Sequence, residues 1–191
     1  MIIPPTNRTD GLGVTCIDNL KPEICAQIIE MHKDAINPKK PARVQTDDNN
    51  VIDIETRQVD QWVIADIPQN DWLSILLCTL ARQANEEFFH FDICGLYERP
   101  VLLKYSALGK YDWHTDLGSG DASTRKISIV IPLNEEFAGG ELCFFDSGEM
   151  KLQIGAGDVI CFPSFIPHRV QAVLSGERWS LVAWISGSSF R

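Results

Sequence analysis

His114 and Asp116 stand two residues apart in the stretch Tyr111-Asp-Trp-His-Thr-Asp116. If that stretch is extended, both side chains leave the same face, because a strand alternates its side chains with a period of two. An imidazole beside a carboxylate suits a divalent metal of intermediate softness, and a second histidine would complete a 2-His-1-carboxylate face. His168, which follows Pro163-Ser-Phe-Ile-Pro167, is the candidate. It lies so far beyond Asp116 that the chain between them must cross in several strands and curl back.

The His-x-Asp spacing carries little weight alone. Four histidines and fifteen aspartates in 191 residues give roughly 0.3 such pairs by chance. A second instance, His90-Phe91-Asp92, ends a helix-like run, where residues i and i+2 do not face each other. His90 therefore reads as a last-turn residue beside the helix dipole rather than a ligand.

A third chemical feature is Arg178, in Gly176-Glu-Arg-Trp-Ser-Leu-Val-Ala-Trp184. Strand alternation puts Arg178, Ser180, Val182 and Trp184 on one face. An arginine among apolar side chains needs an anion. Its planar guanidinium can hold a carboxylate through two parallel hydrogen bonds, and the Ser180 hydroxyl can add a third. The alternative partner is a protein carboxylate such as Glu177 or Glu141.

The elements that must position these groups are read from periodicity and turn chemistry. Asp18 or Asn19 can cap a helix over about residues 21–35, with Pro22 in its first turn. Asn70 or Asp71 opens a second helix, whose stripe of Trp72, Ile75, Leu76, Leu80 and Ala84 would cover a sheet. From residue 99 the texture changes to short Val/Ile/Leu/Phe runs separated by glycine turns. The expected strands are 101–105, 110–115, 126–133, 141–145, 150–153, 158–162, 169–173 and 179–185. Eight short strands after two helices predict an α+β, mainly β chain: a double-stranded β-helix, or jelly roll, with N-terminal helices packed on one sheet. One domain is expected over 1–191, with 1–98 as helical and loop support and 99–191 as the core carrying the site.

Composition disfavours nucleic acid as a partner. Acidic residues outnumber basic ones by 26 to 17, a formal charge of −9 that works against a polyphosphate backbone. The six cysteines show no Cys-x-x-Cys pair, most are expected to be buried thiols, and the amino terminus lacks a signal-peptide pattern. No apolar stretch approaches membrane-spanning length. A reducing, cytoplasmic setting without membrane attachment is the expectation. Oligomeric state has no readable signal.

Together, His114-x-Asp116, His168 and Arg178, with Tyr105, Gly109 and Tyr111 before them and Gly139-Gly-Glu-Leu142 and Gly157-Asp158 between, resemble the Fe(II)- and 2-oxoglutarate-dependent oxygenases, specifically the prolyl 4-hydroxylase-like branch. The resemblance spans about residues 102–184. It implies that His114, Asp116 and His168 bind Fe(II) and that Arg178 grips the distal carboxylate of 2-oxoglutarate. It also implies that Tyr105, Ser180 and Trp184 line the co-substrate pocket. Dioxygen would be the second co-substrate and ascorbate an accessory reductant. The implied reaction is hydroxylation of an amino-acid side chain, prolyl in a peptide or protein before others. A hydroxylase of a free amino acid or other small molecule is the alternative, as is a non-catalytic jelly-roll sensor of metal or carboxylate. The segments 37–60 and 118–124 are the expected lids.

Overall fold

Ile127, Ile129 and Ile131 alternate with Ser128 and Val130, and all five are buried. A strand with both faces buried needs cover on both sides. A computed structural model, which describes residues 13–31, 57–145 and 148–190 and the backbone of 40–41, 44–45 and 50–51, shows what supplies that cover.

The chain opens with β1 (Thr15–Asn19) and α1 (Pro22–Glu30), followed by the short pieces β2 (Lys40–Pro41), β3 (Val44–Gln45), β4 (Asn50–Val51) and β5 (Arg57–Gln58). Next come β6 (Asp60–Val63), α2 (Asp71–Ala84), β7 (Ile93–Leu96), β8 (Val101–Tyr105), β9 (Lys110–His114) and β10 (Arg125–Pro132). The remainder is β11 (Phe137–Gly139), β12 (Leu142–Phe145), β13 (Glu149–Lys151), β14 (Asp158–Pro163), β15 (His168–Val170), β16 (Val173–Gly176) and β17 (Arg178–Gly187).

Eight described strands form one sheet in the order β1-β14-β10-β17-β8-β6-β2, with β7 also on β17, and five form the facing sheet, β13-β12-β15-β9-β5. Every pairing in these two sheets is antiparallel.

Two cores result. Cys25 and Ile28 of α1 and Leu73, Leu77, Leu80, Ala81 and Ala84 of α2 pack on the outer face of the larger sheet, against Ile127, Ile129, Ile131, Leu181, Ala183 and Ile185. The second core lies between the sheets. It joins Leu103, Tyr105, Val130, Ile160 and Val182 to Leu142, Phe144 and Val170. Each large aliphatic side chain so buried contributes about 1.5–3 kcal/mol. The alternation that sends Leu181 and Ala183 to the helices sends Arg178, Ser180 and Val182 to the interior between the sheets. This is the expected jelly roll with helices on one sheet.

Several local expectations need correction. Asp18 and Asn19 do not cap α1: they end β1, where the Asn19 amide donates to Asp158 Oδ1 at 2.9 Å, and Lys21 takes the cap position without a side-chain bond. The helix ends at Glu30, and residues 32–39 lie outside the described residues. On α2, Leu80 and Ala84 are buried as expected and Trp72 and Leu76 pack partly buried on the same core, but Leu73, Leu77 and Ala81 complete the buried stripe and Ile75 is 66% exposed. The sequence offers two overlapping apolar faces, and the sheet selects the one with the leucines. Residues before 99 are more than support, since β1, β6 and β7 pair into the larger sheet and β5 into the smaller one. The expected strand 169–173 is two, β15 and β16, in different sheets. Most of the expected 37–60 lid lies outside the described residues, and 118–124 forms a turn and a 3-10 helix, Gly120–Thr124. No helix among the described residues is long and apolar enough to cross a membrane.

Candidate functional site

His114 closes β9 and His168 opens β15, and the two are direct partners in the antiparallel ladder. Asp116 lies beyond the end of β9, so strand alternation does not place it. Its position is set by the turn after β14: the N–H groups of Asp116 and Leu117 both donate to the Ser164 carbonyl at 2.9 Å. His168 Nε2 lies 3.6 Å from Asp116 Oδ2, and His114 Nε2 lies 3.9 Å from Oδ1. The three ligand atoms fall within 4.8 Å of one another.

The hydrogen bonds settle the tautomers. His114 Nδ1 contacts the Asp112 carbonyl at 2.7 Å and His168 Nδ1 the Ile166 carbonyl at 3.0 Å. A carbonyl only accepts, so each Nδ1 donates a proton there and each Nε2 is turned toward the centre. Burial, and then the neighbouring His168, push His114 down to about 3, so its ring is neutral at physiological pH. Burial raises the Asp116 carboxyl, but the two imidazoles, the Ser128 hydroxyl and Arg125 outweigh it, and the group is held ionised. Two imidazoles with Nε2 turned inward and one carboxylate are the donor set of a divalent transition metal.

Arg178 stands on the interior face of β17, and a pocket of about 450 Å³, mouth included, brings it together with His114, Asp116, His168, Tyr105, Ser180 and Trp184. Its side chain is 2% exposed. Nη1 donates to Ser180 Oγ at 3.1 Å, the carbon between its nitrogens lies 5.3 Å from the Tyr105 ring centre, and Nη2 has no hydrogen-bond partner among the described residues. The two protein carboxylates considered as partners are engaged elsewhere: Glu177 with Lys104 at 2.5 Å and Glu141 with Lys151 at 3.7 Å. The pocket therefore holds a buried cation with an open donor, a receptor for an anion.

His90 is outside this constellation. It takes the left-handed position (φ 55°) after the π-helical turn Asn85–Phe89, and it is exposed. All six cysteines are free, but only Cys25, Cys143 and Cys161 are buried, fewer than expected.

Several residues at the site escaped the sequence. Arg57 of β5 lines the pocket, 4.4 Å from the Tyr111 ring centre, and came from a region with no motif. Arg125 makes a bidentate pair with Glu98, donates to the Asp116 carbonyl at 3.1 Å and lies 3.9 Å from the Trp184 ring centre. Ser128 and Ser164 stand behind the carboxylate. Only these two had a local signal, a lone hydroxyl inside an apolar run.

The family model of the 2OG-Fe(II) oxygenase superfamily matches residues 100–186. A PKHD-type hydroxylase from Thermosynechococcus vestitus is 40% identical over 120 residues, covering 58% of this chain and 52% of the relative. One from Stenotrophomonas maltophilia is 34% identical over 119 residues, with the same two coverages. The match thus spans about half the length of these relatives. Among solved structures, a Pseudomonas putida prolyl-4-hydroxylase superposes with a TM-score of 0.72 at 22% identity, over 94% of this chain and 95% of that one. A Trichoplax adhaerens prolyl hydroxylase, in complex with a hypoxia inducible factor peptide fragment, gives 0.74 at 17%, over 93% and 85%. With the histidines, the carboxylate and the buried guanidinium meeting in one jelly-roll pocket, residues 100–186 of this chain match the 2OG-Fe(II) oxygenase superfamily in sequence and in the placing of these groups.

Proposed function

We propose that this chain is a dioxygenase dependent on Fe(II) and 2-oxoglutarate that hydroxylates an amino-acid side chain, a prolyl residue of a peptide or protein before others. The observation that carries the reading is the Nη2 of Arg178, open among the described residues and buried in the same pocket as His114, Asp116 and His168. His114, Asp116 and His168 would hold the iron. Arg178, with Ser180 beside it, would take the distal carboxylate of 2-oxoglutarate. Tyr105 would close the far end of the pocket and Trp184 its wall.

Held by His114, Asp116 and His168, Fe(II) would supply oxidative chemistry in which decarboxylation of 2-oxoglutarate to succinate and carbon dioxide takes up one atom of dioxygen and the other enters the substrate. The chain's own contribution is orientation. The Nδ1 bonds fix both imidazoles, Arg178 fixes the organic acid, and the apolar walls from Leu103, Val130, Leu142 and Val182 exclude water from the reacting centre. Ascorbate would serve as an accessory reductant. The prolyl choice rests on the names of the similar proteins, and the peptide bound in the Trichoplax neighbour supports a peptide substrate. The same reading treats 1–191 as one oxygenase domain, supported by the strands from before residue 99 that pair into both sheets.

Protein mixed with Fe(II) and 2-oxoglutarate without oxygen should develop a visible charge-transfer band and release succinate once oxygen is admitted. Candidate peptides should gain one oxygen atom by mass spectrometry. Asp116→Ala should abolish turnover, and near-normal succinate production by that variant would contradict the assignment. Colour without succinate favours the sensor, and oxygen gained by a free amino acid but by no peptide favours the small-molecule hydroxylase.

A further inference from the structure

The carboxylate of Asp116 is gripped from behind by groups that the proposed reaction does not use. Ser128 Oγ donates to Asp116 Oδ2 at 2.6 Å, and Ser128 Oγ and Ser164 Oγ lie 3.0 Å apart. A serine has one hydroxyl proton, and an ionised carboxylate can only accept. The Ser128 proton is therefore committed to Asp116, and the bond between the serines must run from Ser164 to Ser128. Both serines are at most 1% exposed, so water does not compete for these bonds. Ser164 acts a second time through its backbone, whose carbonyl takes the Asp116 N–H, while the Ser164 N–H donates to the Lys126 carbonyl at 3.0 Å. Ser128 sits in β10 and Ser164 in the turn just after β14, and the other interior side chains of these two strands, Val130, Ile160 and Phe162, are apolar. Two hydroxyls in such a place need each other and the carboxylate, since an unpaired buried hydroxyl is costly.

We propose that Ser128, backed by Ser164, is a positioning residue for the metal centre: its hydroxyl fixes the rotation of the Asp116 carboxylate and occupies part of Oδ2, so that the carboxylate meets a cation through one oxygen. The inference rests on the metal reading above. A carboxylate free to rotate can turn both oxygens to the cation and consume a coordination position that the co-substrates need. Partners of a ligand that do not themselves touch the metal change its affinity by about 10–100-fold.

Co(II), titrated into metal-free protein without co-substrate, reports affinity and, through its visible absorption, coordination number. Ser128→Ala should bind Co(II) about tenfold more weakly or worse and shift the absorption bands, Ser164→Ala should shift both in the same direction by less, and Ser128→Thr should restore the wild-type spectrum. Should Ser128→Ala fail to fold, the Ser164→Ala and Ser128→Thr pair carries the test alone. Identical Co(II) affinity and spectrum in the wild type and the folded alanine variants overturn the positioning role. Wild-type protein that binds no Co(II) overturns the metal reading, and this inference with it.

Discussion

A guanidinium with an open donor inside an apolar pocket is costly unless an anion completes it, and Arg178 is such a group, 2% exposed with Nη2 unpaired among the described residues. Lysine keeps the charge but not the two-pronged geometry. Arg178→Lys should therefore raise KM for 2-oxoglutarate roughly tenfold or more while kcat falls less, since a charge-assisted hydrogen bond is worth about 1.5–3 kcal/mol. Succinate kinetics at varied 2-oxoglutarate would check it, and an unchanged KM would remove Arg178 from the co-substrate site. His114 yields a prediction about the metal-free fold. In the unfolded chain its imidazole takes a proton near pH 6.5, but burial beside His168 delays that to about pH 3. Between those values the unfolded state binds the extra proton, so stability is full above about pH 6.5 and is lost as pH falls toward 3. Thermal melts of metal-free protein across that window should show Tm falling with pH, and His114→Gln should flatten the slope. Sequence spacing made these chemical residues legible because metal and carboxylate recognition demand particular side-chain types. Arg57, Arg125 and Glu98 were not legible, because nothing local marks a charged side chain as facing inward across a barrel.

At the scale of elements, what the sequence could not show was phase. Helix α2 carries two apolar faces one residue apart, and contact with the larger sheet decides that Leu73 and Leu77 go inward and Ile75 outward. Leu77→Ala should cost about 2–5 kcal/mol of unfolding free energy in denaturant titrations, and Ile75→Ala less than about 0.5. Equal costs would return the stripe to the phase read from periodicity. The glycine pair before β12 was legible as a turn, but its purpose was not. Gly140 has φ +68°, and a Cβ there would stand 2.9 Å from Arg178 Cδ and 3.0 Å from Val173 Cγ2. The turn is thus also the seat of the arginine stem. Gly140→Ala should lose about 1–2 kcal/mol from the left-handed backbone and also weaken 2-oxoglutarate binding. The second effect, read from the charge-transfer titration, separates a seat from a turn. A variant destabilised but binding 2-oxoglutarate normally would leave Gly140 with the turn alone.

At the scale of the molecule the site exists only where the two sheets face each other: the metal triad comes from β9, β15 and the segment after β9, and Arg178 from β17 across the interior. The jelly roll itself was legible from residue 99 onward because glycine turns and short β-branched runs repeat there. The edge strands β1 and β5, and β6 next to an edge, were not, since short pieces that pair with distant partners carry little periodicity of their own. Because both sheets contribute, ligands that span the pocket must stabilise the whole fold, and they must do so in order. Metal alone joins β9 to β15 within one sheet, and 2-oxoglutarate added to metal ties that sheet to β17 in the other. A ligand at a hundred times its Kd adds about 2.7 kcal/mol, a rise in Tm of roughly 5–11 °C for a chain of this size. Melts without oxygen should therefore rise once with Fe(II) and again with 2-oxoglutarate. Arg178→Lys should keep the first rise and lose most of the second, whereas Asp116→Ala should lose both, because without metal the organic acid has a grip on one sheet only. If 2-oxoglutarate stabilises Asp116→Ala as much as wild type, the acid binds without reference to the metal triad, and the two halves of the pocket do not form a single site.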